Sequence, residues 1–574
     1  MTGLPATLAA LAAQVVPGSG TTGSATGCTI TPARFTGLCT GTNTLHVPVE
    51  YRTILPLLVL AIGALALLVV SAVLPKRSRP GVYPLLTLLI SAGAAGTAVW
   101  EWVDIGDHSP LLAIGHQILY DRFSVLFYLL ISVATAFGAL LADSYLQREG
   151  LDGVEPYVLM LLASTGAMLM VAAAGTIMLF LGLEIMSIAL YVMTAYHRRR
   201  AASGEGGLKY FLLGSFSSAI FLYGAALAYG ATGTTQFDEM ASFLARNTIL
   251  DSGVLLAGMA LLIVGLGFKV AAVPFHTWSP DVYQGAPTPF TGYMAAVAKA
   301  AGFAGLLRVL LEGFGSEAAN WRPAIWLMAV LTLAVGSVLA IVQRDVKRML
   351  AYSSISQAGY VLIGLQADSA RGTAGALFYL FTYTFIIAGS FAVVEVVQGQ
   401  GEARNDIGAL RGLARRKPWL GFCMLVFLLA QAGVPFTSGF LAKFSVIVAV
   451  VDRGQWYLAV IGMLAAAIAA FFYLRLGLLL YSTPTVDEAT EPTDGTLTAG
   501  LEPIAGFDGP VPALSGGPGA AAATVPVALE APADGRIEVP FTVGVTVVVC
   551  AVFTIVAGVS SPVLDFAKAA TTLF

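Results

Sequence analysis

Charge, cysteine and histidine are all scarce in this 574-residue chain. Asp, Glu, Lys and Arg make up only 11 % of it, against about 25 % in an ordinary soluble domain. That excludes a water-soluble globular enzyme. The polarity that keeps a chain disordered is equally missing, and a net charge of -3 offers nothing to a nucleic acid. The four cysteines (Cys28, Cys39, Cys423, Cys550) show no CxxC spacing, and the five histidines (His46, His108, His116, His197, His276) are scattered. A haem needs facing axial ligands and an iron–sulfur cluster four thiolates, so no cofactor or metal is expected in this chain. One G-x-G-x-x-G match, at Gly18, Gly20 and Gly23, lacks the preceding strand and following helix that a dinucleotide site requires.

Hydrophobicity is what the chain has in excess, at 57 % of residues with a mean hydropathy of +0.82. A helix crosses the hydrocarbon with about 20 mostly apolar residues. Such runs occur near 54–74, 82–100, 120–142, 157–173, 175–195, 207–230, 252–273, 288–309, 322–342, 348–365, 372–397, 418–450, 457–482 and 540–563. The expected fold is an all-α polytopic membrane protein with about fourteen transmembrane helices. Two segments, 1–50 and 484–537, are rich in Gly, Thr and Ser or in Pro, Gly, Ala and acids, and lack the periodicity of a core. Leu4–Val16 is too short to span and reads as an interfacial helix or a partner-docking arm. The acidic segment reads as a mobile loop dispensable for any ion route. The expected divisions are an N-terminal extension (1–50), helices 1–3 (51–150), two helical repeats (151–310 and 311–483), the acidic loop (484–538) and a last helix (539–574).

Lys and Arg gather in alternate loops, including Lys76, Arg77, Arg148, Arg198, Arg199, Arg200, Arg344, Lys347, Arg348, Arg411, Arg415 and Lys417. They outnumber those on the other side, such as Arg34, Arg52 and Arg246. The positive-inside rule then puts both termini outside the cytoplasm. Cys28 and Cys39, on that outer side, form either a disulfide or two free thiols in a flexible tail.

Five basic residues fall inside spans: Lys209, Lys269, Lys299, Lys443 and Arg475. Each central charge costs roughly 2.5–3.5 kcal/mol on insertion scales, so function is their default reading. Lys299 is at mid-span. Lys269 lies five residues before Pro274, which removes the hydrogen bond to the Val270 carbonyl and breaks the helix. Lys443 repeats the arrangement: Pro435 frees the Gln431 carbonyl, and the lysine follows eight residues later. Lys209 and Arg475 lie near enough to span ends to snorkel. Glu184 is the one central acid of the early spans and the expected counter-charge of Lys269, whereas Glu395, near a span end, is expected to face water. Burial and a neighbouring charge shift lysine and glutamate in opposite senses. Such groups can therefore hold and pass protons without a cofactor.

The tripeptides Val273-Pro274-Phe275 and Val434-Pro435-Phe436 stand at the two expected breaks, in the seventh and twelfth spans. An odd offset of five reverses the direction of crossing. The chain therefore reads as two inverted five-helix repeats, each with one broken helix, the pattern of many transporters.

With these features on view, the stretches LFLGLEIMSIALYVM, GLKYFLLGSFSSAIFLYG, GFKVAAVPFHTWSPDVYQGAPTPFTGYMAAVAKAAG, QRDVKRMLAYSSISQAGYVLIG and AGVPFTSGFLAKF resemble the antiporter-like membrane subunits of respiratory complex I. The resemblance covers roughly residues 115–480 and is strongest to the N subunit of bacterial NADH-quinone oxidoreductase. A lysine rather than a glutamate at position 443, and an end soon after the last span, distinguish it from the M and L subunits. The resemblance implies a proton route through Glu184, Lys269, Lys299 and Lys443, with Lys209 at a further matching position. It also implies other membrane and peripheral subunits as partners, which would carry NAD, FMN, iron–sulfur clusters and quinone, in a bacterial cell membrane. The other readings are a subunit of a multisubunit Na+/H+ antiporter or of a related membrane-bound hydrogenase complex. A purely architectural subunit has no use for buried titratable lysines.

Overall fold

The computed structural model describes residues 51–73, 81–105, 111–247, 252–483, 537–560 and 562–571. The expectations for Leu4–Val16, Cys28, Cys39 and the acidic loop lie outside these residues.

The described residues are helical almost throughout. A 3-10 turn leads into α1 (Leu55–Val73), followed by α2 (Val82–Ile105). A small antiparallel hairpin, β1 (Leu111–Ala113) and β2 (Ile118–Tyr120), precedes α3 (Arg122–Glu149). Next come α4 (Glu155–Val171), α5 (Thr176–Thr194), α6 (Ala201–Thr232) and the short amphipathic α7 (Phe237–Arg246). The first broken unit is α8 (Gly253–Lys269) with α9 (Trp278–Gly285), and it leads to α10 (Thr288–Leu307). Then follow α11 (Ala318–Ile341), α12 (Val346–Gln366), α13 (Ala370–Gln398) and a single turn, α14 (Leu413–Arg416). The second broken unit is α15 (Pro418–Ala432) with α16 (Ser438–Asp452), followed by α17 (Trp456–Tyr481), α18 (Phe541–Val559) and α19 (Pro562–Ala569).

Among the described residues, ten helices are long and apolar enough to cross a bilayer. Of the other expected spans, 157–173, 348–365 and 418–450 coincide with α4, α12, and α15 with α16, whereas 252–273 matches α8 alone and α9 lies beyond it. The two breaks fall at corresponding places in the two repeats, the fourth unit of each. Neither the hairpin nor α7 is among the elements expected from the sequence.

Local signals set the ends. The carboxylates of Asp121 and Asp345 accept from the amides of Ser124 and Arg348, capping α3 and α12. Gly150 and Gly233 end α3 and α6 in left-handed conformations. Packing sets the layers. The apolar stretch of α13 is wholly buried and that of α10 nearly so, whereas α1, α2, α6, α17 and α18 keep broad apolar faces on the outside. Those outer faces are suited to lipid. Polar groups on α10, α12 and α13 are enclosed by protein, the only setting in which they are tolerated at membrane depth.

Candidate functional site

The first break begins sooner than Pro274 requires. Helix α8 ends at Lys269 itself, and residues 270–277 turn back on their own backbone: the Ala271 amide donates to Phe268 O and that of Ala272 to Gly267 O. The Val273 amide donates to Thr332 Oγ1 of α11, at 2.9 Å. The loosened backbone is thereby satisfied without the lysine. Lys269, only 4 % exposed, reaches instead to hydroxyls on two other helices. Its Nζ donates to Ser187 Oγ of α5 at 2.8 Å and approaches Tyr210 OH of α6 at 3.5 Å.

Glu184 is therefore not in ion-pair contact with Lys269, a correction to the sequence expectation. The amine meets Ser187, one helical turn along α5 from Glu184, and Glu184 Oε1 is buried without a hydrogen-bond partner. The side chain of Glu184 is half-buried, between the outward-facing Leu181 and Ile185.

Lys299, 5 % exposed, points from α10 to the Ser354 carbonyl of α12. The Ser354 hydroxyl accepts from Tyr383 OH of α13 at 2.7 Å and is 3.3 Å from Tyr283 OH of α9. About a turn and a half of α12 supplies the polar groups here, SSISQ, and α12 is not among the ten helices long and apolar enough to cross a bilayer. Helix α10 comes close to the Lys269 stem because Gly302, three residues after Lys299, makes room: a Cβ there would lie 2.8 Å from Val270 Cγ1 and 3.4 Å from Lys269 Cγ. Among the described residues no hydrogen bond joins the two amines.

The second break behaves as Pro435 predicts. Gly433 takes a left-handed φ of 89°, closing α15, and two carbonyls are left over. Lys443, 5 % exposed, fills them: Nζ donates to Gln431 O at 2.6 Å and Ala432 O at 3.1 Å. From there a bonded chain runs back toward Lys299. Gln357 Nε2 donates to Gln431 O at 3.1 Å and to Tyr473 OH at 3.0 Å. Ser353, which bonds Tyr473, also donates to Gln431 Oε1 at 3.0 Å. Ser353 and Ser354 are adjacent, so only one peptide unit separates this chain from the carbonyl that holds Lys299.

A common feature links the three lysines. Each ammonium position lies over a tyrosine ring: Lys269 over Tyr210 at 5.6 Å, Lys299 over Tyr383 at 5.5 Å and Lys443 over Tyr360 at 4.8 Å. A ring face attracts a cation without fixing it as a carboxylate would. The sequence reading missed these tyrosines. Gln431, a lone amide in an apolar run just before a Pro break, carried a signal.

The remaining candidates lie elsewhere. The Lys209 side chain is 42 % exposed and pairs with Glu205 at 2.6 Å and Asp281 at 2.9 Å, away from the buried row. Arg475 is exposed and donates to Ile341 O, as snorkelling predicts. Glu395 does not face water. It is 1 % exposed and accepts from Ser144 Oγ at 2.6 Å, because α3 packs over that end of α13. Two basic residues assigned to loops or passed over are fully buried as well. Lys347 pairs with Glu402 at 2.9 Å, and Arg308 pairs with Asp121 at 2.7 Å. Glu402, in the turn after α13, also accepts from Arg200 at 2.6 Å and from the Thr288 amide and hydroxyl at 2.8 Å. Burial opposes its charge, yet Lys347 and Arg200 hold its carboxyl down to about 2.

Comparison with known proteins bears on the same region. The family described as NADH:quinone oxidoreductase/Mrp antiporter, TM, matches residues 173–469, which include Glu184, both breaks and all three lysines. The NADH-quinone oxidoreductase subunit N of Trichlorobacter lovleyi is 41 % identical over 444 residues, covering 77 % of this chain and 90 % of that relative. A chain of respiratory complex I from Thermus thermophilus, solved with bound Aureothin, superposes with a TM-score of 0.68 at 31 % identity, over 89 % of this chain and 98 % of that one. A chain of the Mrp complex from Dietzia shares the fold, with a TM-score of 0.74 at 22 % identity, over 91 % of this chain and 97 % of that one.

Proposed function

The chain belongs to the NADH-quinone oxidoreductase subunit N family, and from that premise we propose how its buried lysines move protons. It is a proton-translocating membrane subunit of an NADH:quinone oxidoreductase. NAD, FMN, iron–sulfur clusters and quinone belong to other subunits, and this chain contributes the ion route. The membrane is a bacterial cell membrane, with the Arg- and Lys-rich loops on the cytoplasmic side.

The observation that carries this reading is the row of three enclosed lysines, two at helix breaks and one between them, each bonded to neutral groups. An ammonium needs acceptors, and hydroxyls and carbonyls supply them without the lasting neutralisation of a salt bridge. The flexible stem lets an amine change partners. Protons are passed from Lys269 to Lys299 and on to Lys443, with Glu184 as the acid whose approach to Lys269 varies during turnover. Between Lys299 and Lys443, the Ser353, Gln357, Gln431 and Tyr473 groups hold the dipoles along which a proton is handed over. Between Lys269 and Lys299 no bonded chain runs among the described residues, and there an amine must swing.

The shared fold with the Mrp complex raises sodium exchange as the second reading. A hard cation such as Na+ needs oxygen ligands. The carbonyls released at the second break face the Lys443 amine, which favours protons over sodium.

Lys299→Met is the direct test, in the intact complex reconstituted in vesicles. NADH-driven proton uptake is expected to collapse while the complex still assembles, and Glu184→Gln is expected to impair it. Unchanged pumping in Lys299→Met removes the lysine row from the mechanism. Uptake that requires sodium turns the reading toward the antiporter.

A further inference from the structure

A second buried charge cluster sits at the opposite end of the bundle from the basic loops, where α3 and α11 begin and α10 ends. Arg308, 0 % exposed, anchors it, with every guanidinium nitrogen engaged. Nε donates to Val171 O at 3.0 Å, and Nη2 donates to Asp121 Oδ1 and Ser124 Oγ, both at 2.9 Å. Nη1 meets Asp121 Oδ2 at 2.7 Å and also Glu312. The guanidinium is thus saturated by two acids, and the charges do not cancel. One cation against two carboxylates leaves one negative charge over. An uncompensated charge in a buried setting is expensive, and a single bound proton removes it.

We propose that Glu312 is the proton-holding group of this cluster and releases protons to the outer side. The inference rests on the proton-translocating reading above and adds a place of exit. Asp121 is 2 % exposed and held by both guanidinium nitrogens and the Ser124 amide, whereas Glu312 is 21 % exposed and held by one nitrogen. Glu312 also lines a cavity of about 160 Å³ with Asp121, Asp238, Phe237 and Leu119. That volume accommodates several waters. Asp238 is exposed, so the space leads to solvent. The charged groups that face Glu312 are Arg308 on its own helix, Asp121 on α3 and Asp238 on α7.

The backbone supports a group whose state changes. Arg308–Gly313 is a π-helical continuation of α10, a looser winding that recurs at functional sites. Lys299 lies nine residues before Arg308 and thirteen before Glu312 on the same helix, roughly 20 Å along the axis from Glu312. A change at Lys299 therefore reaches Glu312 through one buried helix. In balance, the carboxylate takes one proton to become the neutral acid, leaving Arg308 and Asp121 as an even pair. Giving that proton to cavity water restores the carboxylate.

The test uses the complete complex in vesicles, with a pH-sensitive dye fixed on its outer surface, during NADH oxidation. Glu312→Gln leaves the balanced Arg308–Asp121 pair intact, so assembly at the parental level is expected, with loss of prompt outer-side release and of its dependence on outer pH. Glu312→Asp is expected to regain release with a shifted outer-pH profile. Parental release and a parental profile in Glu312→Gln overturn the proposal. If Glu312→Gln does not assemble, Glu312→Asp decides: a parental profile there overturns it, and a shifted one supports it. Lys299→Met serves as the reference. Normal pumping in that variant breaks the underlying proton reading, whereas failure confined to the Glu312 arms breaks only the exit.

Discussion

Four lysines are buried among the described residues, and their surroundings divide them. Lys347, at the end of the bundle that carries the basic loops, is locked to the Glu402 carboxylate, which Arg200 and Thr288 also hold. Lys269, Lys299 and Lys443, at mid-depth, meet hydroxyls, carbonyls and tyrosine faces, with no carboxylate in ion-pair contact. The residue type and the burial are the same, so partner chemistry makes the difference. A carboxylate fixes a lysine as a cation and turns it into a structural tie, here between the starts of α10 and α12 and the end of α13. Neutral partners leave the proton transferable. The contrast continues between the two breaks. Lys443 satisfies its break's own carbonyls, whereas Lys269 stands beside a break that its backbone and Thr332 have already closed.

The largest effect on stability is expected at the paired lysine. Glu402→Gln removes the charge shared by two buried cations, and breaking such a pair from one side costs about 3–5 kcal/mol. Thermal unfolding or recovery of the assembled complex reads this directly, and a parental melting point would show that the tie is not structural. The same group gives a pH signature. Its folded value is depressed from 4.5 to about 2. Its contribution is therefore complete above pH 4.5 and is lost as pH falls through the interval down to about 2. Glu402→Gln should flatten the acid limb of the stability profile in that window.

Lys443→Met comes next and separates the breaks. Proton pumping is expected to stop. Ala432 O also loses its donor, while Gln431 O keeps Gln357. An orphaned buried acceptor costs about 1–3 kcal/mol, so the variant should melt below the parent. Lys443→Glu keeps a proton carrier but sets an acid against two carbonyls, so it should recover part of the pumping and little of the stability. If both variants pump as the parent does, Lys443 is not on the route.

Lys269→Met should stop pumping without that penalty. Ser187 keeps its own bond to Leu183 O, and exchanging a buried cation for an apolar side chain of similar length is often neutral or stabilising. Loss of pumping together with a melting point at or above the parental one would sharpen the contrast between the breaks. A large drop in stability would erase it.

Much of this is legible in the sequence. Lys269, Lys299 and Lys443 stood out because an ionisable group in an apolar run has few reasons to persist, and Pro274 and Pro435 announced the breaks. The freed Gln431 carbonyl was foreseen and is where the Lys443 amine lies. What stayed hidden depends on neighbours rather than depth. Hydropathy places Glu395, Lys347 and Arg308 near the ends of spans, where a side chain turns to water unless another helix covers it. For Glu395 the cover is Ser144 on α3, and for Arg308 it is Asp121 at the start of α3. Both partners are more than 180 positions away in sequence. Likewise the separation of Glu184 from Lys269 turns on Ser187 offering a nearer acceptor, which charge matching alone does not predict.

The smallest effect is expected at Lys209, and it tests whether surroundings outrank sequence position. The sequence resemblance implied a site role for this lysine, yet its amine is 42 % exposed and shared between Glu205 and Asp281. Asp281 keeps Arg348, at 2.6 Å, when Lys209 is removed. An exposed ion pair contributes little because water and salt screen it. Lys209→Met should therefore leave assembly intact and pumping close to parental, and what effect there is should shrink as salt is raised. A loss of pumping as deep as in Lys299→Met would mean that the Lys209 amine enters the row in another state of the cycle. Burial in this one arrangement would then fail to separate the lysines that carry protons from those that do not.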